Sequence, residues 1–515
     1  MGKNRIIFNT LILYVKTVIS IFISFYTTRI VLLSLGVDDF GLYTLIAGFI
    51  GALSFISSSM ASATQRFLSF YIGENTASFV KNVFSSSVLI HLLIGVVMIF
   101  FFEVIGNYYI DYNILSDKIE IAKLLLHFMV VSTFFSIISV PNDAVVDANE
   151  NMIFVAVIGI VESLFKLFIA LSLNEIIEDK LFYYGLFLML LSILLRIVKY
   201  LYTYYAYEEC RINLKDVFFN VDFGLIKKIL NFATWNVLGI VVYMVRNQGV
   251  IVLLGVFFSS AIVAAYGIAN QVINQMSFFS ETMMKTLRPQ IIKSEGENDR
   301  AKMVTLSLQA SKNSFFLISF FLLPIFFEID FILSLWLKNI PDFTVVFCKY
   351  IIILIIIRQL TMGIIVASHA INDIKRFQLI TSPLQLLSLP IGYFLYYLEF
   401  PIYSILIVLI LTEVITMFLR MLYFKISIDY SQKKYFFEIV IKSILSFLIV
   451  FLLLLFLDEM FNNYVLSIHR FYKTIFMLFV SLVTYPILFY KLSLNLEERT
   501  IIKGYYVRLK RKYEK

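Results

Sequence analysis

Apolar residues in this chain run in long blocks, and short polar connections separate one block from the next. Neither the alternation of a half-buried strand nor the narrow stripe of a water-soluble helix dominates. About 20 mostly apolar residues make a helix long enough to cross a bilayer core of about 30 Å. The blocks predict such spans at about 10–35, 41–64, 83–106, 121–145, 151–173 and 181–205. After a polar connection from Glu208 to Lys228, a second set is predicted at about 229–256, 260–284, 304–328, 344–368, 376–398 and 402–424. Two further spans fall near 436–457 and 471–491. The pattern thus predicts an all-α integral membrane fold with about 14 transmembrane helices.

The landmarks between the blocks occur twice. Leu35-Gly36-Val37, Tyr43, Arg66 and Gly73-Glu74-Asn75 return in the same order as Leu254-Gly255-Val256, Tyr266, Arg288 and Gly296-Glu297-Asn298. Ala148 to Phe154 likewise lines up with Ala370 to Phe377, so the offset is roughly 222 positions throughout. A repeat of that length is a duplicated domain. It predicts an N-terminal six-helix lobe over 1–215 and a pseudo-symmetric C-terminal six-helix lobe over 216–428. Two extra transmembrane helices and a basic cytoplasmic tail then occupy 429–515.

Composition agrees with a bilayer as solvent. The chain is 60% hydrophobic and 15% charged, with a mean hydropathy of +0.88, more apolar surface than a water-soluble globule can hide. Only Cys210 and Cys348 could form thiol chemistry, which argues against a disulfide framework or a cysteine metal site. The first block is long, carries Lys16 and Arg29 and lacks a small-residue cleavage site, so it reads as a span and not a cleaved leader. Charge then orients the spans. Lys3 and Arg5, Lys81, Arg211, Lys215, Lys227, Lys228, Lys293, Arg300, Lys302, Lys375, Arg376, Lys425, Lys433 and Lys434 mark one side, which is cytoplasmic by the excess of Lys and Arg. The tail, with Arg508, Lys510, Arg511 and Lys512, joins them and suits anionic headgroups. Asp38, Asp39, Asp111, Asp117, Glu175, Glu178, Asp179, Asp342, Asp458 and Glu459 mark the other side. Both termini are therefore expected in the cytoplasm.

Polar residues inside the spans carry the candidate chemistry. The eighth span places Gly267, Asn270, Asn274, Ser277, Glu281, Lys285 and Arg288 at steps of three or four, on one helix face. Asn236, Tyr243 and Asn247 stripe the seventh span, and Gln378, Thr381, Gln385 and Ser388 the eleventh. Stripes on several helices predict a shared, water-accessible cavity, although amides and hydroxyls also glue helices together. Arg246 and Arg358 lie near mid-span, where a cation costs about 2.5–3.5 kcal/mol on insertion scales. With Arg29, Lys16 and Lys312 they form the candidate cationic, substrate-binding set; for the last three, snorkelling to an interface is the plainer alternative. Glu281, Glu413 and Glu162 are the candidate carriers of a coupling H+ or Na+, against the simpler reading that Glu162–Lys166 and Glu413–Arg420 are internal ion pairs. No GxxxxGK[ST] loop and no HExxH motif occurs, and His91, His127, His369 and His469 lack ligand spacing. An enzyme, a resident metal, a cofactor and a nucleic-acid partner are accordingly not expected.

Asn9-Thr10-Leu11, the run from Tyr26-Thr27-Thr28-Arg29-Ile30 to Leu35-Gly36, Asp39-Phe40-Gly41-Leu42-Tyr43, and Ala63-Thr64-Gln65-Arg66-Phe67 resemble the Wzx-type polysaccharide flippases of the multidrug/oligosaccharidyl-lipid/polysaccharide exporter superfamily. The resemblance implies two helical bundles around a central cavity in a bacterial cytoplasmic membrane. It implies alternating access that carries an undecaprenyl-diphosphate-linked oligosaccharide to the periplasmic leaflet, for O-antigen, capsule or exopolysaccharide, with a polymerase and a chain-length regulator as further partners. Arg29 and Arg246 are the positions that carry over from the family's cationic cavities. The two extra helices resemble those of the superfamily's lipid II flippases, which makes a lipid II-type flippase one alternative. A cation-coupled multidrug antiporter of the same fold is another and should show carboxylates in its cavity. A membrane polysaccharide polymerase is a third and would need a catalytic constellation.

Overall fold

A computed structural model describes the chain except at residues 1, 52–53, 114–117, 178, 214–216, 218–221, 338–339, 465–469, 496–497 and 501–515. The sequence readings at Lys3, Arg5, Asp38, Asp117, Glu178, Lys215, Asn274 and His469, and at Arg508, Lys510, Arg511 and Lys512, fall outside the residues or side chains described.

Among the described residues all regular structure is helical. The first half comprises α1 (Gly2–Gly51), α2 (Ser54–Gly73), α3 (Ala77–Asn113), α4 (Ile119–Ile138), α5 (Val140–Ala148), α6 (Met152–Ser172) and α7 (Lys180–Ala206). The second comprises α8 (Phe223–Phe257), α9 (Ser260–Gly296), α10 (Arg300–Trp336), α11 (Thr344–Gln359), α12 (Met362–Ala370), α13 (Ile374–Tyr397) and α14 (Ser404–Ile428). A short turn and a π-helical stretch, Phe436–Ile441, lead into α15 (Lys442–Tyr464), and α16 (Arg470–Leu488) follows.

The punctuation follows local chemistry. Gly36 breaks α1 with φ +79°, a conformation that L side chains rarely adopt, and it does so between the first two predicted spans. Asn151 caps α6 by accepting the amide of Phe154. The repeat seen in the sequence is also a repeat of backbone: Asn75 and Asn298 are left-handed at φ 56° and 58°, and Glu150 and Asn372 at φ 60° and 58°. Each lies just past a helix end, where a left-handed residue satisfies the last carbonyls.

The expected count of about 14 spans is only partly met. Among the described residues, eleven helices are long and apolar enough to cross a membrane, and the pair α11–α12, bent by 43°, makes a twelfth when counted as one span. The predicted second span, 41–64, runs across residues 52–53, which lie outside the described residues, so the count does not test it; the predicted eighth is helical, but the polar stripe of α9 makes it too polar to be counted.

The helices form two compact units that do not follow the boundary between the two repeats. Unit one holds Met1–Val241, Lys285–Met303 and His369–Ile374; unit two holds Val242–Met284, Val304–Ser368 and Lys375–Lys515. Unit one has one core where Met98 and Phe102 of α3, Leu125 and Val130 of α4 and Leu191 and Leu195 of α7 meet. A second core joins Phe67 and Leu68 of α2 to Val83 and Phe84 of α3, Val145 of α5 and Phe232 of α8. In unit two, Leu323 of α10 packs with Val450 and Leu454 of α15 and Met477 and Tyr485 of α16, so the two extra helices are fastened by a core of their own. Phe22, Phe100 and Phe168, each two-thirds or more exposed, lie outward as lipid-facing residues should.

Candidate functional site: a buried arginine cluster

The candidate site is built in unit two from α8, α11 and α14. Arg246 on α8 is 3% exposed, and its Nη1 lies 3.3 Å from Oε2 of Glu413 on α14. Glu413, 1% exposed, also holds Arg420 at 2.9 Å. Seven positions separate Glu413 from Arg420, about two helical turns, so both project from one face of α14. Arg420 further donates to Thr361 Oγ1 at 2.9 Å. Arg358 completes the group from the end of α11, its guanidinium 4.7 Å from the centre of the Tyr243 ring; that of Arg246 lies 5.5 Å from the same ring.

The break between α11 and α12 makes room for this arrangement. The Leu360 carbonyl accepts from the Tyr435 hydroxyl at 2.8 Å, and the Gly363 amide donates to Ser311 Oγ at 2.8 Å. With those groups satisfied, a broken helix is tolerated at membrane depth, and Thr361 is free to face Arg420. Gln359 is fixed by Ser280, which donates to its Oε1 at 2.7 Å.

Electrostatically the cluster is positive, with three guanidiniums around one carboxylate. Glu281 also acts on Arg358 through space, and counting it still leaves a surplus of one positive charge. The Nε atoms of Arg246 and Arg420 are buried donors without a hydrogen-bond partner. Buried guanidinium donors without partners are the equipment for binding an oxyanion.

The structure brings together Arg246, Arg358 and Glu413 of the eight predicted site residues; Glu281 acts on Arg358 only through space, and the other four lie elsewhere. Lys312 is paired with Glu498, whose two oxygens lie 3.0 and 2.8 Å from its Nζ, so its charge is already neutralised. Arg29 is exposed on α1. Lys16 lays its stem over Gly159, where a Cβ would collide with it, within electrostatic range of Glu162, Lys166 and Lys285. Glu162 holds Lys166 at 2.7 Å, and Glu281 is exposed on α9. Arg420 and Thr361 are the cluster members that sequence reasoning did not assign to a site. The spacing of Glu413 and Arg420 was the available signal, and it points equally to a simple ion pair. Both cysteines are unbridged and buried; burial, then the neighbouring Glu209, pushes the Cys210 thiol up to about 12. Among the described residues no group of three or more His, Cys, Asp or Glu side chains is placed to hold a metal ion.

A family model described as MatE matches residues 15–171, which lie within α1 to α6. A crystal structure of MATE in the bent conformation superposes with a TM-score of 0.71 at 12% identity, over 84% of this chain and 96% of its own. The chain has the MATE fold. An outward-facing multidrug resistance MATE family transporter of the MOP superfamily matches with a TM-score of 0.69 at 12% identity, over 82% of this chain and 95% of its own. So does a MOP superfamily transporter from Pyrococcus furiosus, TM-score 0.68 at 12% identity with the same coverage, described by a binding pocket of reverse polarity that suggests a different function. The proteins sharing this MATE fold are transporters and not enzymes. No curated protein sequence matches the chain.

Proposed function

We propose that the chain is a cation-coupled secondary transporter that exports amphipathic compounds of the multidrug kind across a bacterial cytoplasmic membrane by alternating access. The observation that carries this reading is the MATE fold, matched over most of both chains in the superposition. Among the candidate coupling carboxylates, Glu413 and Glu162 already hold guanidinium or ammonium groups at 2.9 and 2.7 Å. Glu281, exposed on the polar face of α9, is therefore assigned to the coupling H+ or Na+. The second and eighth predicted spans, about 41–64 and 260–284, complete a set of about 14, with both termini cytoplasmic.

One observation favours a second cargo on the same fold. Three arginines around Glu413 suit a diphosphate better than an organic cation, which supports an undecaprenyl-diphosphate-linked oligosaccharide as substrate, with a polysaccharide polymerase and chain-length regulator downstream. The deciding experiment puts purified protein in liposomes under an imposed pH or Na+ gradient with ethidium as cargo, and in parallel expresses it in a flippase-deficient host. Gradient-driven ethidium flux that is lost in Glu281→Gln supports the first reading. No flux together with restored surface polysaccharide selects the second.

A further inference from the structure

Unit one contains pieces of both repeats, and it joins them reciprocally. α2 and the end of α9 cross at Gly73 and Gly296. A Cβ on Gly73 would run into the carbonyl oxygen of Lys293, and a Cβ on Gly296 into the carbonyl oxygen of Phe70. Gly73 and Gly296 are repeat equivalents, and Phe70 and Lys293 stand at the same offset. Each helix therefore offers its glycine to the other's backbone, and the two can separate without disengaging interlocked side chains.

Polar contacts pin the crossing. The Glu150 carboxylate accepts from Gln290 at 2.7 Å and from Lys293 at 3.0 Å, and the Glu150 carbonyl accepts from Asn9 at 3.0 Å. The hydroxyls of Thr10 and Thr286 lie 2.9 Å apart. Arg66, packed on Phe67, donates to the carbonyls of His369 and Ala370 at 3.0 and 3.2 Å, at the end of α12. Glu150 occupies a left-handed position at which the second repeat has Asn372. Asparagine adopts that conformation more readily than glutamate, so the first repeat carries the less suitable residue at the very turn whose side chain reaches α9. A strained residue with a specific partner is the pattern expected of a working part.

We infer that Glu150 is a detachable latch. It holds the end of α9 on the first repeat in one stage of the transport cycle and releases Gln290 and Lys293 in the next. The contacts suit a latch, because bonds from an amide and an ammonium to a carboxylate hold with a modest net strength that a change of conformation can overcome. The inference rests on the alternating-access reading above, on the side that the lysine-rich connections mark as cytoplasmic.

The test uses the full chain in native membranes. A Thr10→Cys/Thr286→Cys pair oxidised to a disulfide is expected to stop transport of whichever cargo the chain moves, and reduction is expected to restore it. Undiminished transport by fully cross-linked protein overturns the latch. A second readout needs no cargo: maleimide labelling of Thr10→Cys, with the unsubstituted parent as background. Glu150→Asn keeps a residue suited to the left-handed turn and removes the charge, and it is expected to speed that labelling by about tenfold at equal amounts of folded protein. Equal labelling rates overturn the latch even if transport is observed. Faster labelling without transport of any cargo supports the latch and counts against the transport reading alone.

Discussion

Glu413 is the most consequential single side chain of the cluster, because Arg246 and Arg420 both depend on it. Removing one member of a buried ion pair leaves its partner charged and dry, at a cost of about 3–5 kcal/mol. Glu413→Gln strands both arginines and is expected to lose stability on that scale. Arg246→Ala should lose less, since Glu413 keeps Arg420. Measuring the folded fraction that survives heating in detergent checks the order, and a more stable Glu413→Gln protein would refute it. Transport separates a binding role from a structural one for Arg246. If it contacts phosphate, Arg246→Lys retains part of the export because the charge survives and the bidentate fork does not, whereas Arg246→Ala retains less at equal folded protein. If it serves only Glu413, export per folded molecule stays constant.

At the scale of elements, the two extra helices are packed parts and not appendages. α15 and α16 cover Leu323 of α10, and Phe316 stacks on Tyr485 and Phe489 at ring distances of 5.3 and 4.3 Å. The segment after α16 supplies Glu498, the partner of Lys312. Truncation after Tyr430 therefore exposes an apolar face of α10 to lipid, which is tolerable, and leaves Lys312 without its carboxylate, which is not. The truncated protein should insert but yield less folded material in size-exclusion profiles, and Lys312→Met in the truncated chain should recover part of the loss. No recovery would place the defect in lost packing. The pairing of Lys312 was not legible beforehand, because its partner lies in a distant, polar stretch of sequence that hydropathy assigns to no span.

For the whole molecule, the orientation of every connection depends on the second and eighth predicted spans, 41–64 and 260–284. Losing the second span inverts every connection up to the eighth and puts Lys81, Arg211, Lys227 and Lys228 outside, against the bias of basic loops toward the cytoplasm. Losing the eighth as well restores the orientation afterwards, so the C-terminus reads as cytoplasmic under both counts. Reporter fusions at Asp179 and Lys228 decide. With both helices crossing, Asp179 reports periplasmic and Lys228 cytoplasmic; the opposite pair of signals would establish the smaller count.

Hydropathy was enough to establish an all-helical membrane protein, because length and composition act locally and each span must satisfy its own backbone. The left-handed positions Asn75 and Asn298 keep the repeat legible down to single residues. Partners were decided only by tertiary structure. Arg246 and Arg358 looked alike as mid-span cations, and so did Lys312 farther toward an edge, yet two of them join the Glu413 cluster and the third is neutralised by Glu498. A buried charge takes its meaning from the group facing it across helices far apart in sequence, and helical periodicity specifies a side chain's face without specifying what that face meets.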